Sequence, residues 1–262
     1  MNKFAKQTAL GIITCNREDM LQELVKSIDP TNFNTRYIIN NGASLKKNYH
    51  DYTVLNSKHN PTPVGAGKNK FFRIAKENHD YMFCLEDDIR IKNNDVWQYY
   101  IDTLHDSGIV GQLSYGMHGN NNTINETVEY TKLSVDFYQE SYAAFTLFHK
   151  DIFKIVGYFN EDYINAGEHL EHYHRTTLKG GTPFRYFPDA HKSFEYIEDQ
   201  DSGHDRSVIR SDKNWPDQFK KAWVLFRKTY GVYPNELAKC EREKLMSRLT
   251  EIEERFARKD LL

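Results

Sequence analysis

The sequence has few cysteines, few prolines and no long apolar run. Its three cysteines, Cys15, Cys84 and Cys240, are too sparse and too far apart for a disulfide framework or a cysteine metal cage. An odd, scattered set fits a reducing compartment, and Cys15 and Cys84 lie in apolar runs that read as core. No stretch approaches the ~18 apolar residues of a membrane span. Met1-Asn2-Lys3-Phe4-Ala5-Lys6 has no apolar signal core. These absences predict a cytoplasmic protein with no membrane span. A dominant charge is missing as well: 35 Lys and Arg face 37 Asp and Glu, so the bulk charge of −2 announces no polyanionic partner. The balance is uneven, however. Residues 1–205 carry 21 basic and 28 acidic side chains, and residues 206–262 carry 14 and 9.

What is present is an alternation of short apolar runs and helical patterns. Ala9–Thr14 reads as a strand, followed by a helix near Glu18 with Leu21, Leu24, Val25 and Ile28 on one face. Tyr37–Ile39 and Tyr52–Leu55 are further strands. A Pro/Gly loop is expected from Asn60 to Gly67, then a helix through Phe71 and Phe72, then a fourth strand, Tyr81–Leu85. This order predicts a Rossmann-like α/β sheet. The second half is less regular, with strands expected at Ile109–Leu113 and Ala143–Phe148 and a helix within 161–179. Glu198–Ser211 reads as a polar, mobile loop. Leu245, Leu249, Ile252 and Phe256 form one apolar stripe, which implies a terminal helix packed on the body or a partner helix in a homodimer.

Four local patterns carry chemistry. In Ile13-Thr14-Cys15-Asn16-Arg17, a strand leads into a helix, whose free N–H groups suit a diphosphate that Arg17 could also reach; Asn16 reads on its own as a helix N-cap. Gly65-Ala66-Gly67-Lys68-Asn69 is not a Walker loop, because position 62 is Thr and Lys68 is followed by Asn69. The third pattern, Glu86-Asp87-Asp88, ends the fourth strand. Three adjacent anions repel one another, and Mg²⁺ or Mn²⁺ would reconcile them, since both take oxygen ligands shared with phosphates. A solvated acidic turn is the bland alternative. The fourth, Gly167-Glu168-His169-Leu170-Glu171-His172, is dense in proton-transfer groups but matches neither zinc-protease spacing. If helical, it puts Glu168, Glu171, His172 and Arg175 on one face, where ion pairing is the ordinary outcome.

Together these patterns resemble GT-A nucleotide-sugar glycosyltransferases, and family 2-like inverting enzymes in particular. Thr14–Arg17 looks like their first nucleotide-binding strand. Asn40-Asn41-Gly42-Ala43-Ser44 looks like their Asp-Asp-Gly-Ser turn with both acids replaced. Gly65–Asn69 looks like their Gly-Ala-Arg-Asn segment, Glu86-Asp87-Asp88 is similar to a DxD motif, and Phe159-Asn160-Glu161 with Gly167-Glu168-His169 resembles the segment that supplies the base. The resemblance implies a GT-A domain over 1–205, with a nucleotide-binding half (1–95) and an acceptor half (96–205), and a basic helical extension over 206–262. It implies a mixed, mostly parallel sheet and transfer of sugar from a UDP-linked donor to an acceptor hydroxyl, with Mn²⁺ or Mg²⁺. The expected nucleotide contacts are Thr14, Asn16, Arg17, Asn41, Gly67, Lys68, Asn69, Glu86 and Asp87. Asp88 would hold the metal, joined by His204 or, second, His191; His169 or Glu168 would be the base. His169 stands where the family usually has an Asp, and the Asn pair departs from its base-recognition acids.

The acceptor is open. The basic C-terminal region and its aromatics (Trp215, Trp223, Phe226, Tyr230, Tyr233) fit a DNA-base glycosyltransferase acting on hydroxymethylcytosine as a second reading. A third is a non-catalytic nucleotide-sugar-binding protein on the same fold. A nucleotidyltransferase fits less well, because the first strand lacks a Gly-rich basic loop.

Overall fold

The computed structural model describes residues 5–57, 62–117, 122–140, 142–183, 186–201, 203, 205–237 and 241–256. Its centre is a six-stranded sheet in the order β3-β2-β1-β4-β9-β6. The strands are β1 (Thr8–Thr14), β2 (Thr35–Asn40), β3 (Thr53–Asn56), β4 (Tyr81–Glu86), β6 (Gln112–Ser114) and β9 (Phe145–His149). β3, β2, β1 and β4 run parallel, and β9 is antiparallel to both β4 and β6. β1 is buried along its whole length, as a strand covered on both faces must be. The aromatic rings of Phe33, Phe83, Trp97 and Phe145 interlock beneath one face. Phe71, Phe72, Phe148 and Phe153 cover the other.

α1 (Glu18–Ser27) follows β1 and buries Met20, Leu21 and Leu24, with Glu18 and Asp19 in its first turn where the helix dipole favours anions. The expected N-cap is not Asn16. Arg17 holds that position without a side-chain cap, and Asn16 lies at φ 58° with its side-chain Oδ1 accepting the Ala43 N–H at 2.8 Å. α2 spans Val64–Ala75, so the expected loop ends earlier and Gly65 and Gly67 lie inside the first helical turn. Pro63 precedes the helix with φ −53°, pre-set for a helix start.

The sequence reading missed several elements. α3 (Val96–Ser107) packs Trp97, Tyr100, Ile101 and Leu104 into the core. A second sheet of three antiparallel strands, β10-β8-β7, comprises Phe187–Ala190, Ser134–Tyr138 and Ile124–Glu129. β5 (Ile89–Ile91) pairs with β11 (Ile197–Asp199), so the loop expected from Glu198 begins as a strand. β6 starts at Gln112 rather than Ile109, because Gly108 and Gly111 both turn the chain with positive φ before it. α4 is the short helix Ile152–Ile155, and α5 (Glu168–Leu178) is the helix expected within 161–179.

Two helices close the chain. α6 (Trp215–Tyr230) packs Ala222 and Phe226 with Tyr163 and Ala166, and Tyr230 donates to Glu171 of α5 at 2.6 Å. α7 (Arg242–Phe256) buries Leu245, Leu249 and Ile252 in the same core cluster as the central sheet. Leu245, Leu249 and Ile252 of the apolar stripe are therefore covered by the chain's own body. No helix among the described residues is long and apolar enough to cross a membrane.

Candidate active site

The sheet order reverses between β1 and β4, which makes their C-terminal ends a topological switch point, the usual ligand crevice of open α/β sheets. Register aligns Ile13 with Glu86 and Thr14 with Asn40, so three of the sequence patterns arrive at one edge. The Thr14 hydroxyl donates to Asp87 at 2.6 Å. The Arg17 guanidinium pairs with Asp87 and, at 3.2 Å, with Asp88; Asp201 lies 3.8 Å away on the segment after β11. The Gln200 N–H donates to the Asp88 carbonyl at 2.7 Å and pins that segment to the acidic turn.

The electrostatics are unbalanced. Among the described residues, three carboxylates surround one guanidinium. Burial pushes the Asp87 carboxyl up to about 7, opposed by Arg17 and reinforced by the neighbouring charge of Asp88. Burial would lower the Arg17 guanidinium, but Asp87 and Asp88 more than offset it, so Arg17 stays a cation. The surplus negative charge suits a further cation, and Asp88 lines the open cleft. Among the described residues, no group of three or more His, Cys, Asp or Glu is placed to hold a metal ion by itself. An open site of one or two carboxylates completed by substrate phosphates is the arrangement Mg²⁺ commonly adopts.

A second charged cluster lies alongside. Lys68 is only 1% exposed. Its ammonium sits 2.8 Å from Glu86 and 3.7 Å from Glu168, and it rests 5.8 Å from the Phe159 ring centroid. Burial would lower this amine, yet Glu86 and Glu168 hold it charged. Burial likewise acts to raise Glu168, but His169 and then Lys68 reverse the effect and hold it at about 2. Glu168 is buried and lies 3.3 Å from Nδ1 of His169, which is partly exposed on the cleft.

Other expected site residues fall in less direct places. The Asn69 amide is occupied by the Phe159 backbone and Glu161, which ties α2 to the loop before α5 and keeps it out of the cleft. Asn40 turns to Ala43, Gly42 and Asn56. Asn41 accepts from Ser57, and its buried Nδ2 has no hydrogen-bond partner among the described residues where it lines the cleft. Gly67 packs so closely that a Cβ there would lie 2.5 Å from that Nδ2. His172 is buried and bonded to Gln112 and the Gly157 carbonyl; burial, then Arg175, lowers it to about 3, which fits a neutral structural role. His191 bonds Asp136 at the second sheet. His204 and Cys240 lie outside the described residues. Cys84 is core as expected, but Cys15 is half-buried and lines the cleft, because β1 ends one residue before it. Reasoning from sequence missed Asp201, Tyr142 and Asn165, which no local motif marks.

The cleft comprises two cavities of about 280 and 270 Å³ that share Glu86 and Asp88. Thr14, Arg17 and Asn41 line the first; Glu168, His169 and the aromatic face of α6 line the second. Ser207 and Ile209 border both.

The chain superposes on S. aureus TarS residues 1–349 with a TM-score of 0.55 and 13% identity, over 97% of this chain and 73% of that one. The GT-A fold is shared. GalNAc-T7 with UDP, GalNAc and Mn²⁺ gives a TM-score of 0.57 at 8% identity, over 97% of this chain and 55% of that one. The same TarS fragment with UDP-GlcNAc gives 0.52 at 13% identity, over 97% and 74%. This chain covers only 44% of the longer TarS structure. These neighbours are GT-A glycosyltransferases, with a mostly parallel sheet and flanking helices as found here. No protein-family model and no curated protein matches the sequence.

Proposed function

We propose that the protein is a glycosyltransferase that moves a sugar from a nucleoside diphosphate donor, UDP-linked in the first instance, to an acceptor hydroxyl. The observation that carries this reading is the cluster of carboxylates at the switch point, where Asp87, Asp88 and Asp201 gather round the Arg17 guanidinium beside an open cavity. Asp88 would hold Mn²⁺ or Mg²⁺, with Asp87 and Glu86 flanking, and the cation would neutralise charge on the leaving diphosphate. Arg17 supplies a second positive charge at the same wall. The Nδ2 of Asn41, without a hydrogen-bond partner among the described residues, offers a donor to an acceptor atom of the base.

The proton goes to His169. An ionised carboxylate only accepts hydrogen bonds, so Glu168 fixes the proton on Nδ1 and leaves the lone pair on Nε2. That nitrogen takes the hydroxyl proton as the acceptor oxygen attacks the anomeric carbon. A single displacement from the face opposite the diphosphate inverts the anomeric centre. Lys68 keeps Glu168 ionised and in place.

Thermal shift with UDP and UDP-sugars, with and without Mn²⁺, tests the donor reading. A shift that needs metal and disappears in Asp88→Ala is expected; no nucleotide response at all overturns it. For the base, His169→Ala should abolish transfer with donor binding retained. If His169→Ala keeps full transfer and Glu168→Gln does not, Glu168 is the base.

A further inference from the structure

We propose that the face of α6 bearing Trp215, Phe219 and Trp223 seats the acceptor, and that the acceptor lays a neutral sugar ring on it. The inference rests on reading the carboxylate cleft as the donor side, and it adds the chemistry of the other substrate. The three residues sit at i, i+4 and i+8 and so share one side of the helix. The Trp215 and Phe219 rings are 5.4 Å apart, and Phe219 and Trp223 are stacked at 4.2 Å. All three line the second cavity with Glu168 and His169. Trp223 also lies 3.8 Å from where a Cβ on Gly167 would stand, so the ladder abuts the first turn of α5.

Ala222 and Phe226, on the neighbouring strip of α6, make its buried contacts, and Trp223 packs against the edge of that cluster, whereas Phe219 is 37% exposed. Of the aromatics expected to stack a flipped base, Phe226 and Tyr230 are instead occupied against α5. A half-exposed aromatic ladder on a concave wall is a stacking surface for a flat face, either the C–H face of a sugar or a base.

Charge decides between them. Glu86, Asp88, Glu140 and Glu168 border the cavity, and Arg210, over Trp215 at 5.9 Å, is the one guanidinium among the described lining residues. Lys68 offsets Glu86 and Glu168, and Arg17 offsets Asp88, so this wall lacks the surplus positive charge that a phosphate backbone needs. The same carboxylates accept hydrogen bonds from hydroxyls, which a neutral sugar presents around its rim. A sugar stacked there places a hydroxyl in the cavity that His169 lines.

Tryptophan emission reads the site directly, because Trp97 is fully buried and the other two of the three tryptophans are on the ladder. The full chain is titrated with cellobiose, maltose, lactose and N,N′-diacetylchitobiose, and separately with dT12 over a salt series. At least one disaccharide should give a saturable change, weakened about tenfold in Phe219→Ala and in Phe219→Leu, which keeps bulk but removes the ring. No response to any disaccharide, or an affinity in both variants equal to that of the wild type, overturns the proposal. Salt-dependent dT12 binding lost in the same variants also overturns it, in favour of a base on the ladder. UDP with Mn²⁺ is titrated by thermal shift in parallel. If UDP binds and no sugar does, only the acceptor inference fails; if a sugar binds at the ladder and no nucleotide does, the donor reading fails instead.

Discussion

The two halves of the protein meet at one cleft but are built differently. One wall hangs from four parallel strands whose ends are aligned by register. The other is assembled from α5, α6 and the segment after β11. The first wall is fixed by strand pairing throughout, whereas in the second only the segment after β11 is anchored by backbone hydrogen bonds and α6 is held on α5 by side-chain contacts. Lys68 is where they join, since its ammonium reaches Glu86 on one side and Glu168 on the other.

The largest effect should come from breaking that joint. Lys68→Met leaves two carboxylates facing each other without a cation and should cost about 3–5 kcal/mol in denaturant unfolding. Adding Glu168→Gln should recover part of the loss, and strict additivity of the two changes would show that the residues do not couple. Leu245→Ala in α7 should cost roughly 2–4 kcal/mol in a single cooperative transition, because Leu245 is buried in the cluster that supports the sheet. Two separate transitions would mean that the C-terminal helices form a unit apart from the sheet. Gly67→Ala should cost about 1–3 kcal/mol by pushing a methyl against Asn41, and should weaken UDP binding more than Asn41→Ala does.

The smallest effect is one of pH. Glu168 titrates at about 2, below its ordinary 4.5, so its ionisation favours the folded state. That contribution is present above pH 4.5 and is lost as pH falls through about 2. The gap in melting temperature between wild type and Glu168→Gln should be constant from pH 5 to 7 and shrink as the solution is acidified further. A gap that widens on acidification would reverse the sign and remove Lys68 and His169 as the cause.

The same contrast explains what could be read from sequence. β1, β2 and β4 are apolar runs closed by polar turns, and burial on both faces makes such strands conspicuous. The acidic triplet is conspicuous because three adjacent anions need an external reason. β7, with Glu126 and Glu129, alternates weakly and is largely exposed, so no apolar pattern marks it. α3 was missed although its core face is strong, because Asp95, Asp102 and Asp106 interrupt the apolar reading. Asp201 joins Arg17 only through the pairing of β11 with β5, a contact 184 positions apart along the chain that no local spacing encodes. Asn16 was misread as a cap because its side chain serves a different strand's turn, at Ala43.

The opening turn of α2 has a consequence for how this cleft can change. Its two glycines present bare backbone to opposite walls: Gly67 faces Asn41, and Gly65 faces the side chain of Glu168 at ordinary contact distance. Both walls thus lean on one rigid post less than a helical turn tall. Any substitution that shifts this post against Asn41 would also tilt Glu168, so under the proposed function a change of donor and a realignment of the acceptor would have to be inherited together.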